Sequence, residues 1–166
     1  MPVVRLSYPK GALTRAQKQL LAKELTDVVL DAEVDAITPS GKMVTVVQFN
    51  EAAADDWAVG GELRASDAIG PNHFIVDVVV LQGLLEGERR QATHRRITEA
   101  FQHACAGAPN ADPMLALRVW VLVHEVREGS WGAAGTTVSA LDVASFINPE
   151  LDAARRSEIA AAIGRA

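Results

Sequence analysis

The chain has 166 residues, of which 49% are hydrophobic and 22% are charged, with a formal net charge of -5. That length suits one domain with a substantial core, and the excess of 21 Asp and Glu over 16 Lys and Arg excludes the basic surface that nucleic acid requires. The first ten residues lack the pattern of a secretory signal and no apolar run is long enough for a membrane span, so we expect a cytoplasmic protein.

The first third of the chain predicts one strand-helix-strand unit. Val3 to Tyr8 is a short β-prone run, and Thr14 is suited to cap a following helix. The apolar residues of that helix form one stripe: Ala16, Leu20, Leu21, Leu25, Val28 and Val29. After a loop at 39–41, the β-branched run from Met43 to Phe49 predicts the second strand.

The same unit is predicted a second time. Phe74 to Leu81 indicates a strand, Glu88 to Cys105 a helix and Leu117 to Val123 another strand. Single residues recur with the unit at nearly constant spacing: Gly11 with Gly83, Glu51 with Glu125, and Trp57 with Trp131. We interpret the chain as two β-α-β units, 1–70 and 71–138, that form one domain, followed by a C-terminal helical extension at 139–166.

This pattern predicts an α+β fold with one four-stranded mixed sheet and both helices on one face. A crossover of this length makes the strands of each unit parallel, and its right-handed sense places both helices on the same side. The strands are apolar on both sides, so the second face needs a cover from outside the chain, which predicts a closed homo-oligomer. In the extension, Asn148 and Pro149 are expected to begin a last helix.

Several motifs in order resemble the tautomerase superfamily. Met1-Pro2 leads straight into a strand, a Gly precedes the first helix, and the second strand ends in Glu51 before the turn at 57–61. That turn is similar to the C-terminal turn of 4-oxalocrotonate tautomerase, and the doubled length is similar to cis-3-chloroacrylic acid dehalogenase. The resemblance covers about residues 2–135, and it implies a trimer and catalysis by an N-terminal proline.

Pro2 carries the chemistry that the resemblance implies. Once Met1 is removed, the Pro2 nitrogen is a secondary amine, whose neutral form can move a proton on a small keto acid as general base. Burial or nearby cations must lower its pKa for that role, because an aliphatic amine is otherwise charged at neutral pH. If it stays charged, it acts as an acid, as in the dehalogenase and hydratase relatives.

The substrate-binding residues of the family do not carry over. Ala12 follows Gly11 where an Arg is usual, and other family positions are occupied by Val29, Val46, Leu81, Leu84, Trp120, Leu122 and Ala133. We therefore consider Arg118 and Lys10 as replacement partners for a substrate carboxylate, against an inter-subunit ion pair and a solvated lysine. Trp131 and Trp57 are candidates for an aromatic wall, against packing anchors.

The sequence predicts no metal site and no cofactor, since the four histidines are scattered. The favoured function is a tautomerase or isomerase of a small enol or unsaturated keto acid, with Pro2 as general base. One alternative is a dehalogenase, hydratase or decarboxylase of small unsaturated acids that uses Pro2 as an acid. The other is a catalytically silent trimeric binding protein.

Overall fold

The computed structural model describes residues 1–63, 72–106 and 112–164. The elements of the first unit are β1 (Val3–Pro9), α1 (Arg15–Val34), α2 (Pro39–Met43), β2 (Val46–Ala52), β3 (Ala58–Val59) and β4 (Glu62–Leu63). Those of the second unit are β5 (Phe74–Leu81), α3 (Gly87–Cys105), β6 (Val119–Val126), β7 (Gly132–Ala133) and β8 (Thr136–Thr137). The helices α4 (Ala140–Ile147) and α5 (Ala153–Ile163) follow, and the predicted boundary between the units lies outside the described residues.

The main sheet has the strand order β2-β1-β5-β6. Strands β1 and β2 are parallel, β5 and β6 are parallel, and β1 and β5 meet antiparallel with Val3 opposite Val79. The predicted mixed sheet of two β-α-β units is therefore confirmed. This arrangement places the start of β1 at the same sheet edge as the ends of β5 and β6, which decides where the candidate site lies.

The core lies between the sheet and the helices α1 and α3. Alternate side chains of the two central strands point into it and are buried: Val4, Leu6 and Tyr8 from β1, and Val76, Val78 and Val80 from β5. Thr14 caps α1 as predicted, with a capping box that includes Gln17. Each large apolar side chain buried in this layer contributes about 1.5–3 kcal/mol relative to exposure.

The other face of the sheet is open and less apolar than predicted. It exposes Trp120 and Leu122 on β6, yet Arg5, Asp77 and His124 lie in register on the same face. The expectation of an apolar second face was therefore only half right. The exposed apolar side chains still suit a cover from another molecule.

The recurring glutamates hold the helices to the sheet. The Nζ atom of Lys18 lies 2.7 Å from Glu51 Oε1, and an Nη atom of Arg90 lies 3.0 Å from Glu125 Oε1. In each unit a cation near the helix start thus pairs with an acid near the end of the second strand. These glutamates are accordingly structural, and their repetition supports a duplicated unit.

Two local predictions were wrong. Residues 39–43 form the short helix α2 instead of a loop, because Thr38 caps it and Pro39 suits its first turn, so β2 begins only at Val46. Asn148 ends α4 instead of beginning the last helix, and the side chain of Asp152 caps α5. The extension therefore contains two helices.

The C-terminal extension packs on its own chain. Its buried residues Val143, Ile147 and Ile159 form a second apolar cluster with Leu30 of α1 and Leu84, which follows β5. The extension therefore covers the sheet edge at which β1 begins.

Among the residues described, no helix is long and apolar enough to cross a membrane.

Candidate active site

The chain's N-terminus is enclosed between the sheet edge and the C-terminal extension. Pro2 is buried, and its carbonyl oxygen accepts a hydrogen bond of 3.1 Å from the Val46 amide. Met1 packs against the second apolar cluster, with its side chain 19% exposed. Burial lowers the pKa of the terminal amine below its ordinary value of 8.0, and the negative charge of Glu33 opposes this shift.

Glu33, in the last turn of α1, is a fully buried acid beside that amine. Its side chain is 0% exposed, and its Oε2 atom lies 3.9 Å from the terminal nitrogen of Met1. Neither carboxyl oxygen has a hydrogen-bond partner among the described residues. Burial raises the pKa of Glu33 above its ordinary value of 4.5, while the terminal amine and Arg155 act in the opposite direction.

Arg155 fixes the backbone around Glu33. This α5 side chain is only 5% exposed, and its Nη2 atom donates to the carbonyl oxygens of Glu33 at 2.8 Å and Leu84 at 2.6 Å. Its Nη1 atom donates to Glu158 at 3.0 Å. Because these donors are occupied, Arg155 holds α5 against α1 and the end of β5 and is not free to grip a substrate carboxylate.

Of the other predicted site residues, Trp131 shares an apolar cluster with the N-terminus. Trp131 follows β6 and packs against the same cluster as Met1. Trp57 and Lys10 instead follow β2 and β1, and Arg118 precedes β6. Since a strand rises about 3.3 Å per residue, Lys10 lies roughly 25 Å from Pro2 along β1. These three residues lie at the opposite edge of the sheet from Pro2 of the same chain.

The two cationic candidates have local surroundings of their own. Arg118 forms an ion pair with Asp112, and its side chain is 18% exposed. Lys10 is exposed, and its backbone amide donates to the Ala52 carbonyl at 2.8 Å. Within one chain, neither reaches the buried N-terminus.

Comparison with known proteins identifies the architecture. Residues 2–66 match the family model described as Tautomerase enzyme. The first β-α-β unit of this chain is therefore similar to the tautomerase family, and the match ends before the second unit begins. No curated protein matches it.

Solved structures show the same fold over most of the chain. A fused 4-OT wild-type symmetric trimer is 21% identical with a TM-score of 0.61, covering 85% of this chain and 98% of that chain. N1, a member of the cis-3-chloroacrylic acid dehalogenase family, is 15% identical with a TM-score of 0.64, covering 96% of this chain and 99% of that chain. At these identities the likeness concerns the fold.

Sequence reasoning missed Glu33 and Arg155. A signal for each was present, because Glu33 follows the stripe residue Val29 by four positions, and Arg155 precedes the buried Ile159 by four. A charged residue on an apolar helix stripe predicts a buried charge. The sequence signal does not show that these two residues contact each other, because they are 122 positions apart in the chain.

Other reactive side chains that the structure describes lie apart from Pro2. His124 pairs with Asp77 on the open sheet face, and His103 pairs with Glu24 between the two long helices. Burial raises the pKa of the half-buried Cys105 thiol. Within the described ranges, no three His, Cys, Asp or Glu side chains gather in a way that suits a metal ion.

Proposed function

We propose that this protein is an isomerase of the tautomerase type, which acts on a small enol or unsaturated keto acid through the Pro2 nitrogen. The observation that carries the proposal is the burial of Pro2 beneath the C-terminal extension, at a place where desolvation lowers the pKa of the preceding Met1 amine. A dry site of this kind favours the uncharged form that a general base requires.

The reaction needs the processed chain. While Met1 is attached, the Pro2 nitrogen is an amide without a basic lone pair, and its removal creates a secondary amine. In ketonisation this nitrogen takes the proton of the enol hydroxyl, the C=O bond forms as the C=C bond opens, and the protonated nitrogen returns a proton to carbon. Pro2 alone therefore takes up and returns the proton, and the reaction requires no oxidant or reductant.

The space that Met1 occupies suits the apolar part of such a substrate. Met1 packs against a cluster that also contacts Trp131, Val138, Leu141 and Ile163. Loss of Met1 frees this volume beside the new amine, and the shallow cleft lined by residues 132–137 follows directly after Trp131. We expect an aryl or branched alkyl group of the substrate to lie here, because these walls offer few hydrogen bonds.

A homotrimer is part of the proposal. The sheet exposes Trp120 and Leu122 on the face that the helices leave open, and the fused 4-OT relatives are trimers. Lys10 and Arg118 lie at the opposite edge from Pro2. We propose that Lys10, together with Arg118 once it exchanges Asp112 for the substrate, serves the carboxylate of a substrate bound at the N-terminus of a neighbouring copy. A cytoplasmic location likewise stays a prediction from the sequence.

Replacement of the proline tests the function. We expect Pro2→Ala to lower kcat/KM for ketonisation of an aryl enolpyruvate by about 10²- to 10⁴-fold, the usual contribution of a general base. Pro149→Ala, a change at an exposed proline of the extension, is the matched control and should leave the rate unchanged. Intact mass must show loss of Met1 in all three proteins, and a Pro2→Ala rate equal to the wild type would contradict the proposal.

One observation favours a second function. The carboxylate of Glu33 stabilises the protonated terminal amine, and a charged Pro2 would act as an acid in hydration, dehalogenation or decarboxylation of small unsaturated acids. The two functions differ in their pH dependence, since a base gains activity and an acid loses it as pH rises through the pKa of Pro2. A protein that turns over neither substrate class would be a silent binding protein of the same fold.

A further inference from the structure

The buried carboxyl group of Glu33 destabilises the fold unless a hydrogen-bond or ionic partner replaces its lost hydration. Its carboxyl group is fully buried, and neither oxygen accepts a hydrogen bond from any described residue. A buried polar group without a partner costs free energy, and native proteins contain few of them. The nearest cation is the chain terminus, whose nitrogen lies 3.9 Å from Oε2, so the carboxylate faces the site of the proposed chemistry.

The backbone of Glu33 is held firmly enough to orient a neighbour. Two guanidinium nitrogens of Arg155, Nε at 3.3 Å and Nη2 at 2.8 Å, donate to the Glu33 carbonyl, and the residue lies within the last turn of α1. Removal of Met1 moves the terminus by one residue, a Cα step of about 3.8 Å. The new terminus is the buried Pro2, whose carbonyl is already fixed by the Val46 amide.

We propose that Glu33 is the positioning residue of Pro2: it accepts a hydrogen bond from the proline N–H and thereby directs the remaining valence of the nitrogen toward the substrate. This inference rests on the proposed function of Pro2. A neutral secondary amine has one N–H and one lone pair, so anchoring the N–H on Glu33 turns the lone pair outward. After proton uptake the second N–H points the same way, and the proton returns to substrate carbon without a rotation of the ring.

The charges around Glu33 are compatible with this role. Glu33 faces the terminal amine of Met1, which precedes β1, and Arg155 of α5. Beyond them, Arg89 of α3 forms a bidentate pair with Asp35, and Glu158 of α5 accepts from Arg155. Arg155 and Arg89 are therefore paired with other acids. The terminal amine is the cation that remains to interact with the carboxylate of Glu33.

The test is a titration of the proline nitrogen itself. In protein labelled with ¹⁵N-proline, Glu33→Gln removes the negative charge beside Pro2, so the Pro2 pKa should shift downward from that of the wild type. Glu99→Gln is the matched control, because Glu99 pairs with Arg95 on the exposed side of α3 and should leave the Pro2 titration unchanged. The rising limb of the pH profile of kcat/KM should move to lower pH in Glu33→Gln by the same amount.

The outcomes separate this inference from the proposed function. An identical Pro2 titration in wild type and Glu33→Gln would overturn the role of Glu33, even if Pro2→Ala were inactive. A shifted titration together with a fully active Pro2→Ala would retain the Glu33–Pro2 contact and end the catalytic proposal. Glu33→Leu is the second variant, and if neither variant folded, Glu33 would be a requirement of the fold and the inference would be wrong.

Discussion

Arg155 shows how one side chain joins the extension to the body of the protein. It donates to the carbonyl oxygens of Glu33 and Leu84, which belong to the end of α1 and the loop after β5. The guanidinium thereby satisfies buried acceptors that water does not reach, and a buried acceptor left without a donor costs about 1–3 kcal/mol.

We expect Arg155→Met to lower the free energy of unfolding by roughly 2–4 kcal/mol, because two buried carbonyl oxygens lose their donor while the apolar stem is kept. Urea unfolding measures the change. Arg95→Met is the control, since Arg95 forms an exposed pair with Glu99 and should change stability by less than about 1 kcal/mol. Equal effects of the two changes would show that Arg155 is not a clamp.

At the residue scale, the sequence allowed a role to be assigned to residues whose role depends on adjacent positions in the chain. Pro2 follows the initiator methionine, and Thr14 precedes a helix, so each could be assigned from its neighbours along the chain. The contact of Glu33 with the terminus could not, because it exists only after α1 has folded back beside β1. Lys10 and Arg118 were considered by analogy of position, and the strand directions place them at the other edge.

At the scale of elements, the two units are alike in plan and differ in surroundings. Gly11 and Gly83 occupy equivalent turns and both have positive φ, 81° and 84°. A Cβ atom at Gly11 would meet nothing within 4 Å, whereas one at Gly83 would lie 2.9 Å from the Cβ of Ala162 in α5. The extension has thus made the second turn a packing position.

This difference predicts unequal effects of the same substitution. Both Gly11→Ala and Gly83→Ala force alanine into a left-handed conformation, at about 1–2 kcal/mol. Gly83→Ala also overpacks against α5, which adds roughly 1–3 kcal/mol. Thermal or urea unfolding of the pair isolates the second term, and equal destabilisation would contradict the close packing of α5 on this turn.

The elements with strong periodicity were predictable, and the short ones were not. The apolar stripe of α1 and the β-branched runs of the strands can be recognised from the pattern of a few consecutive residues. The five-residue helix α2 depends on contacts that the sequence does not display, since Gly41 lies against Leu30 of α1 and Ile147 of α4. An added Cβ at Gly41 would approach both side chains to 2.9 Å, so the helix exists where the extension and α1 close around it.

At the scale of the whole molecule, the open sheet face carries apolar side chains that a single chain does not cover. Trp120 and Leu122 of β6 are 54% and 48% exposed. Side chains of this kind gain about 1.5–3 kcal/mol each when another surface removes them from water. The proposed trimer provides that surface, and it would also bring the opposite edges of neighbouring sheets within reach of each other.

We expect Leu122→Asp to dissociate the assembly, because it places a charge within the proposed interface. Light scattering during gel filtration reports the mass directly. Arg95→Asp, on the exposed outer side of α3, is the control and should leave the mass unchanged. A wild-type protein that is already monomeric would end the proposal of a trimer.

In the proposed reaction, the Pro2 nitrogen that removal of Met1 exposes carries the transferred proton. The most direct test of this role is the pH profile of kcat/KM for aryl enolpyruvate ketonisation by wild type and Pro2→Ala, both shown by mass to lack Met1. We expect the wild-type rate to rise through a pKa below that of a free secondary amine, while Pro2→Ala stays near the buffer rate at every pH. A Pro2→Ala profile that follows the wild type would contradict this role.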